Sequence, residues 1–261
     1  LLSWSTKMMT GMIPDADVQQ RMQQSLAIIG EATSATVALG GSILPEEDTA
    51  LRYFGISRFD PASTIRDAIA ALGDELEYEV AGIRQGIRIE QDAEEIDGHS
   101  VHLYHVDQEF PEGLDPLGAQ QAINDRLYGE DGITQRLVYR DDTVLQTMGG
   151  GTEGMKQLIN APQWSDESLL AARKRFPERA CFLVIADLPT FIINMGRLMV
   201  ESGALPLPVS ADSMADLTVP RSYAGVSVTV EPEQLQARTV VPLGTFQAVV
   251  RFAAFAQQAS R

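Results

Sequence analysis

Apolar residues recur along the chain with two periods, and the two divide most of its length into strands and helices. Alternation or β-branched enrichment marks nine strands, at 35–42, 50–57, 86–91, 100–106, 134–140, 143–147, 180–186, 223–230 and 236–241. Successive strand side chains point to opposite faces, so a period of two marks a strand with one buried side. Helical spacing appears in Val18, Met22, Leu26 and Ile29 after Pro14-Asp15, and in Ile65, Ile69 and Leu72 after Asp60-Pro61. Ile123 and Leu127 follow Asp115-Pro116 in the same manner. Each Asp-Pro pair predicts an N-cap acceptor followed by a proline in the first turn, where the missing N–H costs nothing. Ser165-Asp166-Glu167 predicts a further helix, opened by a cap and two acids that complement its dipole. Leu188-Pro189 and Thr245 introduce two more, running through Met199 and to about Ala256.

Short polar turns at Asp97-Gly98, Asp141-Asp142 and Glu231 to Glu233 join neighbouring strands, and hairpins imply antiparallel pairing. A strand–turn–strand–helix order recurs from Ser34, Gly86, Gly132 and Ser222. The expectation is an α+β fold: antiparallel sheets built from repeated units of this kind, with helices packed on one face. Three units are expected, an α-ββ-α unit at 1–75, a ββ-α-ββ-α unit at 76–160 and an α-β-α-ββ-α unit at 161–261. They stand apart or fuse into one or two compact domains.

Composition narrows the partners. With 261 residues and 44% apolar content, the chain can bury a sizeable core. Its 36 Asp/Glu against 20 Lys/Arg leave a formal charge of −16. Residues 46–116 alone hold 18 acids and 5 bases. Such a field repels a phosphate backbone and an anionic bilayer, so no nucleic acid is expected as a partner. No apolar run is long enough for a membrane span. The single cysteine, Cys181 in ACFLVIA, can form no intramolecular disulfide and reads as a small core residue. The opening LLSWSTKMMTGMI lacks an initiator Met and reads as the middle of a first helix, with something preceding Leu1.

Two adjoining signatures invite a chemical reading. Tyr139-Arg140-Asp141-Asp142 has the YxDD form of a polymerase palm, in which paired aspartates at a hairpin tip hold divalent metal ions. A two-metal site needs a further carboxylate. Asp107, the nearest, follows a hairpin and not the strand-to-helix turn such a palm uses. Aspartate is also favoured in tight turns for backbone reasons alone. Gly149, Gly151 and Gly154 spell GxGxxG, which binds dinucleotides only when it joins a parallel strand to a helix. Here it follows the second strand of a hairpin, the next strand does not end until Asp187, and Met155 stands where a phosphate-binding loop needs lysine. A glycine turn into a short helix, with Thr152 as cap, accounts for it.

All three histidines lie in GHSVHLYHVD. On a strand His99 and His105 share a face and lie roughly 20 Å apart, while His102 points the other way. One ion cannot join them, although a single histidine could still meet an acid from a neighbouring strand. Asp141, Asp142, His99, His102 and His105 are therefore the metal candidates; no catalytic residue and no cofactor is expected. Arg173-Lys174-Arg175 with Arg179 complements a helix C-terminus, or receives an anionic partner. Met8, Met9 and Met12 fit core filling or a pliable groove. GxSxG, HExxH, CxxC and EF-hand patterns are absent from the sequence.

The stretches EEIDGHSVHLYHV and LYGEDGITQRLVYRDDTVLQTMGGG, within 83–159, resemble uncharacterised envelope or secreted proteins of planctomycete-type bacteria. Those proteins look like tandem units of paired strands and helices. The resemblance implies a place outside the cytoplasm and carries over no functional residue. The expected function is accordingly a non-enzymatic, extracytoplasmic protein with a binding or structural role in the cell envelope, its protein or small-molecule partner and its oligomeric state left open. Two alternatives stand beside it. One is a small apolar-ligand binder, holding its ligand between a curved sheet and helices such as 189–199. The other is a divalent-metal enzyme using Asp141 and Asp142.

Overall fold

The structure, a computed structural model, describes residues 11, 13–80, 82–111, 113, 118–129, 132–160, 167–204, 213, 217, 219–232 and 234–259. The chain divides into two compact units, Leu1–Ala161 and Pro162–Arg261. The fold is α+β with antiparallel sheets, as the hairpin turns require.

The first unit contains α1 (Ala16–Glu31), β1 (Thr33–Ile43), β2 (Leu51–Asp60), α2 (Thr64–Leu72), β3 (Glu75–Val80), β4 (Ile83–Ile96), β5 (His99–Glu109), α3 (Ala119–Tyr128), β6 (Ile133–Arg140), β7 (Thr143–Met148) and α4 (Gly151–Ile159). Its seven strands form one sheet in the order β1-β2-β7-β6-β5-β4-β3. Every neighbouring pair is antiparallel. Sequence-local hairpins supply four of these pairings. The β2–β7 pairing is long-range and sets Tyr53 opposite Met148 and Arg58 opposite Thr143.

The helices, expected on one face, divide between two. Leu137 and Val138 are adjacent on β6 and so face opposite ways. Leu137 lies with Ala68 and Ile69 of α2, whereas Val138 packs with Met155 of α4, Val101 and Leu145. On the α1/α2 side, Val18, Leu72, Leu76, Ile87 and Ile89 form a second cluster, with Met22 and Tyr104 against it. Each face thus has its own core. Met155 is wholly buried, and it is the same residue that stands in place of a phosphate-binding lysine.

Three helix starts differ from expectation. Asp60 ends β2, Pro61 lies in a turn whose carbonyl accepts from Thr64 N at 3.1 Å, and α2 begins at Thr64 behind Ser63. The strand reaches further than the Asp-Pro signal allows because Phe59 N is still engaged by Asp142 O at 3.0 Å. At α4 the N-cap is Gly150, in the left-handed region, and Thr152 lies inside the helix instead of capping it. At α3 the N-cap is Gly118; Asp115-Pro116, Ser165-Asp166 and the N-terminal methionines lie outside the described residues. Asp15 does cap α1, its Oδ1 accepting from Asp17 N at 2.9 Å and Val18 N at 3.0 Å. One strand was not foreseen. β3 carries Glu75, Glu77 and Glu79 on its exposed side and Leu76, Tyr78 and Val80 toward α1 and α2.

The second unit contains α5 (Glu167–Arg173), β8 (Phe182–Asp187), α6 (Leu188–Glu201), β9 (Tyr223–Glu231), β10 (Gln234–Val240) and α7 (Leu243–Ala259). Its sheet has the order β10-β9-β8, again antiparallel. Ala172 of α5 and the adjoining Phe176 are buried, and the Phe176 ring occupies the space over Gly225 that a side chain would fill. That face of the sheet is therefore covered over β9, while β10 at its edge stays exposed. Cys181, expected in a core, is exposed. It precedes an edge strand, and its thiol reaches Val228 O at 3.2 Å.

Candidate functional site

The YxDD aspartates sit where the sequence puts them, at the exposed tip of the β6–β7 hairpin. Asp141 has φ 51°, a left-handed turn conformation that aspartate tolerates well. Asp142 lies 3.8 Å from Arg58 Nε. Tyr139 leaves this tip altogether and turns toward α2, with the Arg66 guanidinium 5.1 Å above its ring. Burial pushes its phenol up to about 12, against the opposing pull of Arg66.

The histidines split as β5 alternation demands. His102 is on the α2 side, its ring 4.8 Å from that of Tyr139. Its Nδ1 accepts from Asp92 N at 3.3 Å, within a bulge where Gln91 to Ala93 face His102 alone. Burial holds the His102 pKa below its ordinary value; Asp92 opposes that shift and Arg66 adds to it. His105 is on the other face, with Nδ1 2.9 Å from Thr134 Oγ1 and Nε2 3.7 Å from Glu90. His99 lies at the start of β5, opposite Ile96. Among the described residues no group of three or more His, Cys, Asp or Glu side chains is placed to hold a metal ion.

The glycine turn follows a hairpin strand and leads into α4. A side chain at Gly149 would place its Cβ 1.8 Å from Leu51 O, so the β2 backbone itself dictates glycine there. Beside the turn is a shallow depression of about 410 Å³ lined by Glu46, Glu47, Asp48, Thr49 and Arg52. The first-turn N–H groups of a helix favour an anion, but three acids line this depression and Glu47 already pairs with Arg52. The electrostatics oppose a phosphate. On the same face Arg136 donates to Glu94 through Nε and Nη2, at 3.1 and 2.9 Å, tying β6 to β4 across β5. Arg173, from the basic cluster, is occupied by the carbonyls of Phe176, Pro177 and Glu178 at 2.9 to 3.2 Å.

Two features emerge that the motifs did not mark. The first is a groove of about 250 Å³ between the α1/α2 pair and the sheet, walled by Phe59, Ile69, Leu72, Leu137 and Val144. Polar groups enter it from four strands and a helix: Ser25, Ser57, Tyr104, Gln135 and Gln146. Gln146 Nε2 donates to Gln135 Oε1 at 2.7 Å. Ser25 is only 5% exposed although it interrupts the apolar stripe of α1. That interruption was the available signal, since a polar residue at an inward position breaks the local pattern. In α6, the helix named in the apolar-ligand alternative, Ile193, Gly196 and Leu198 are buried.

The second feature is the other face of the β10-β9-β8 sheet. Strand register places Phe182, Val184, Val226, Val228, Val230, Leu235 and Ala237 together on it. Phe182, Val184, Val226, Val230 and Leu235 are 38% to 69% exposed. No charged side chain interrupts this set. Along α7, Leu243, Phe246, Val249 and Val250 are exposed as well. The charge is distributed in the opposite sense: residues 162–261 hold nine acids and nine bases, whereas residues 1–161 hold 27 acids and 11 bases. The whole formal charge of −16 thus resides in the first unit. Among the described residues no helix is long and apolar enough to cross a membrane. Comparison with protein families, with curated proteins and with solved structures finds no match to this chain.

Proposed function

We propose that the chain is a non-enzymatic binding protein of an extracytoplasmic compartment, which docks another protein on the open face of its C-terminal sheet. The carrying observation is that face: a contiguous, uncharged set of valine, leucine and phenylalanine side chains on three strands, the central one of which is already covered on its opposite side. Exposed apolar patches of a few hundred Å² mark interaction surfaces in soluble proteins. The net charge of −16 carried by the rest of the chain works against approach to an anionic bilayer, and the uncharged apolar face itself suits an apolar protein surface. The non-enzymatic reading is supported by the dispersal of the candidate chemistry between a hairpin tip, two faces of β5 and an acid-lined turn. The location is supported by the resemblance of residues 83–159 to envelope and secreted proteins.

The test is a photo-crosslinking residue at position 226, incorporated in the native host, with Val226→Lys as the paired control. One discrete protein adduct at position 226, with loss of association in V226K at an unchanged unfolding midpoint, is the expected result. Diffuse labelling, or association indifferent to the lysine, overturns the docking reading. Osmotic-shock fractionation of the same cells tests the location.

A further inference from the structure

The groove under α1 and α2 is built for a ligand, and we infer that it takes a small neutral amphiphile: an apolar body carrying one hydroxyl or carbonyl group. The inference is independent of the docking face, which lies in the other unit.

Three observations carry it. The walls supply apolar surface from α1, α2 and the sheet, while the cavity of about 250 Å³ falls just below the roughly 300–1,000 Å³ of drug-sized sites. That sets the size class at a small molecule. Next, the hydroxyls of Ser25, Ser57 and Tyr104 all line this groove, and none makes a hydrogen bond with another of the described residues. Their oxygens are not sealed in the packed interior but open to the groove, where water meets them until a ligand's polar group replaces it. Ser25 stands on the inward stripe of its helix and is the most buried of the three residues. Finally, among the described residues no Asp, Glu, Lys, Arg or His lines the groove. A charged ligand would be desolvated there without a counter-charge, and an anion would also meet the acidic first unit. The three hydroxyls and the Gln135–Gln146 amide pair offer donors and acceptors side by side, which suits a neutral oxygen and not an ion. The chemistry therefore selects alcohols and ketones of modest size over fatty acids, phosphates or amines.

The experiment titrates the full chain with 1-octanol and, separately, with octanoate, which has the same tail length and an anionic head, by isothermal titration calorimetry. Octanol is expected to bind, and octanoate at least about tenfold more weakly. Tyr104→Phe keeps the ring and deletes the hydroxyl, and is expected to weaken octanol about three- to tenfold. Ser57→Ile fills the groove from a strand position that accepts a β-branched residue, and is expected to abolish binding. Equal affinity for the two probes, or an unchanged octanol affinity in Y104F, overturns the inference. So does octanol binding that survives in a folded S57I but is lost in V226K, because the alcohol then sits on the C-terminal sheet. If S57I does not fold, Y104F and the octanoate comparison still decide.

Discussion

His102 and Tyr104 are two residues apart on the same side of β5, and burial moves them in opposite senses. For His102 the folded state disfavours the imidazolium, so the unfolded chain takes up a proton that the folded chain refuses. Stability linked to this residue is complete above its ordinary value of 6.5 and is lost as the pH falls toward its lower folded value. Asp92, Arg66 and Tyr139 surround the ring, and only Asp92 favours its protonation. His102→Gln is therefore expected to flatten the decline in unfolding free energy just below pH 6.5, measured by urea titration at successive pH values. An undiminished slope would assign that decline elsewhere. Tyr104 works the other way: its phenol is pushed up to about 12, chiefly by burial, so its contribution is full below pH 10 and is lost as pH rises beyond. Residue identities told part of this in advance. Alternation placed His102 opposite His99 and His105, and turn chemistry assigned Asp141 correctly. What spacing could not show is that the groove's polar groups converge, because Ser25, Ser57, Tyr104, Gln135 and Gln146 come from five elements, α1, β2, β5, β6 and β7. Only their departure from the apolar pattern of an inward face hinted at a role.

Elements were legible wherever a local rule governs them. Hairpins declared themselves through Asp97-Gly98 and Asp141-Asp142, and Asp15 capped α1 as its position implies. Such rules are overridden at α2, where pairing with β1 carries β2 through to Asp60. β3 escaped notice despite strict alternation, since three glutamates in six residues have low strand propensity. At a sheet edge, though, a row of charges discourages unwanted pairing with another chain. The glycine turn before α4 shows the same dependence on tertiary structure. Read alone, it resembles a phosphate loop; in place, Gly149 is needed because Leu51 O passes where a Cβ would be. With φ 73° as well, Gly149→Ala is expected to cost at least about 1–3 kcal/mol. The urea midpoint measures it. An unaffected midpoint would mean that β2 shifts freely to make room, contrary to its pairing on both sides.

At the scale of the molecule, charge and exposed apolar surface are assigned to different units. The sequence displays the first half of that division, since the acids can be counted. It conceals the second, because ACFLVIA has the composition of a core strand and nothing local reveals that Phe182 and Val184, on one of its sides, are exposed. Only the register among β8, β9 and β10 shows that Phe182, Val184, Val226 and Val230 share an open face. The two halves have a joint consequence for self-association. Apolar faces attract one another, and copies carrying −16 repel. Repulsion between exposed charges is screened over about 10 Å at 0.1 M salt and about 3 Å at 1 M, whereas the apolar attraction is not weakened by salt in this way. Isolated protein is therefore expected to be least associated at low ionic strength and neutral pH. Its weight-average mass in sedimentation equilibrium is expected to rise with added salt and as pH approaches the pI of about 4.5. Val226→Lys places a charge in the centre of the face and is expected to abolish the salt-driven rise. If association grows with salt equally in that variant, the contact between copies lies elsewhere, and the open sheet is not the surface on which this protein meets others.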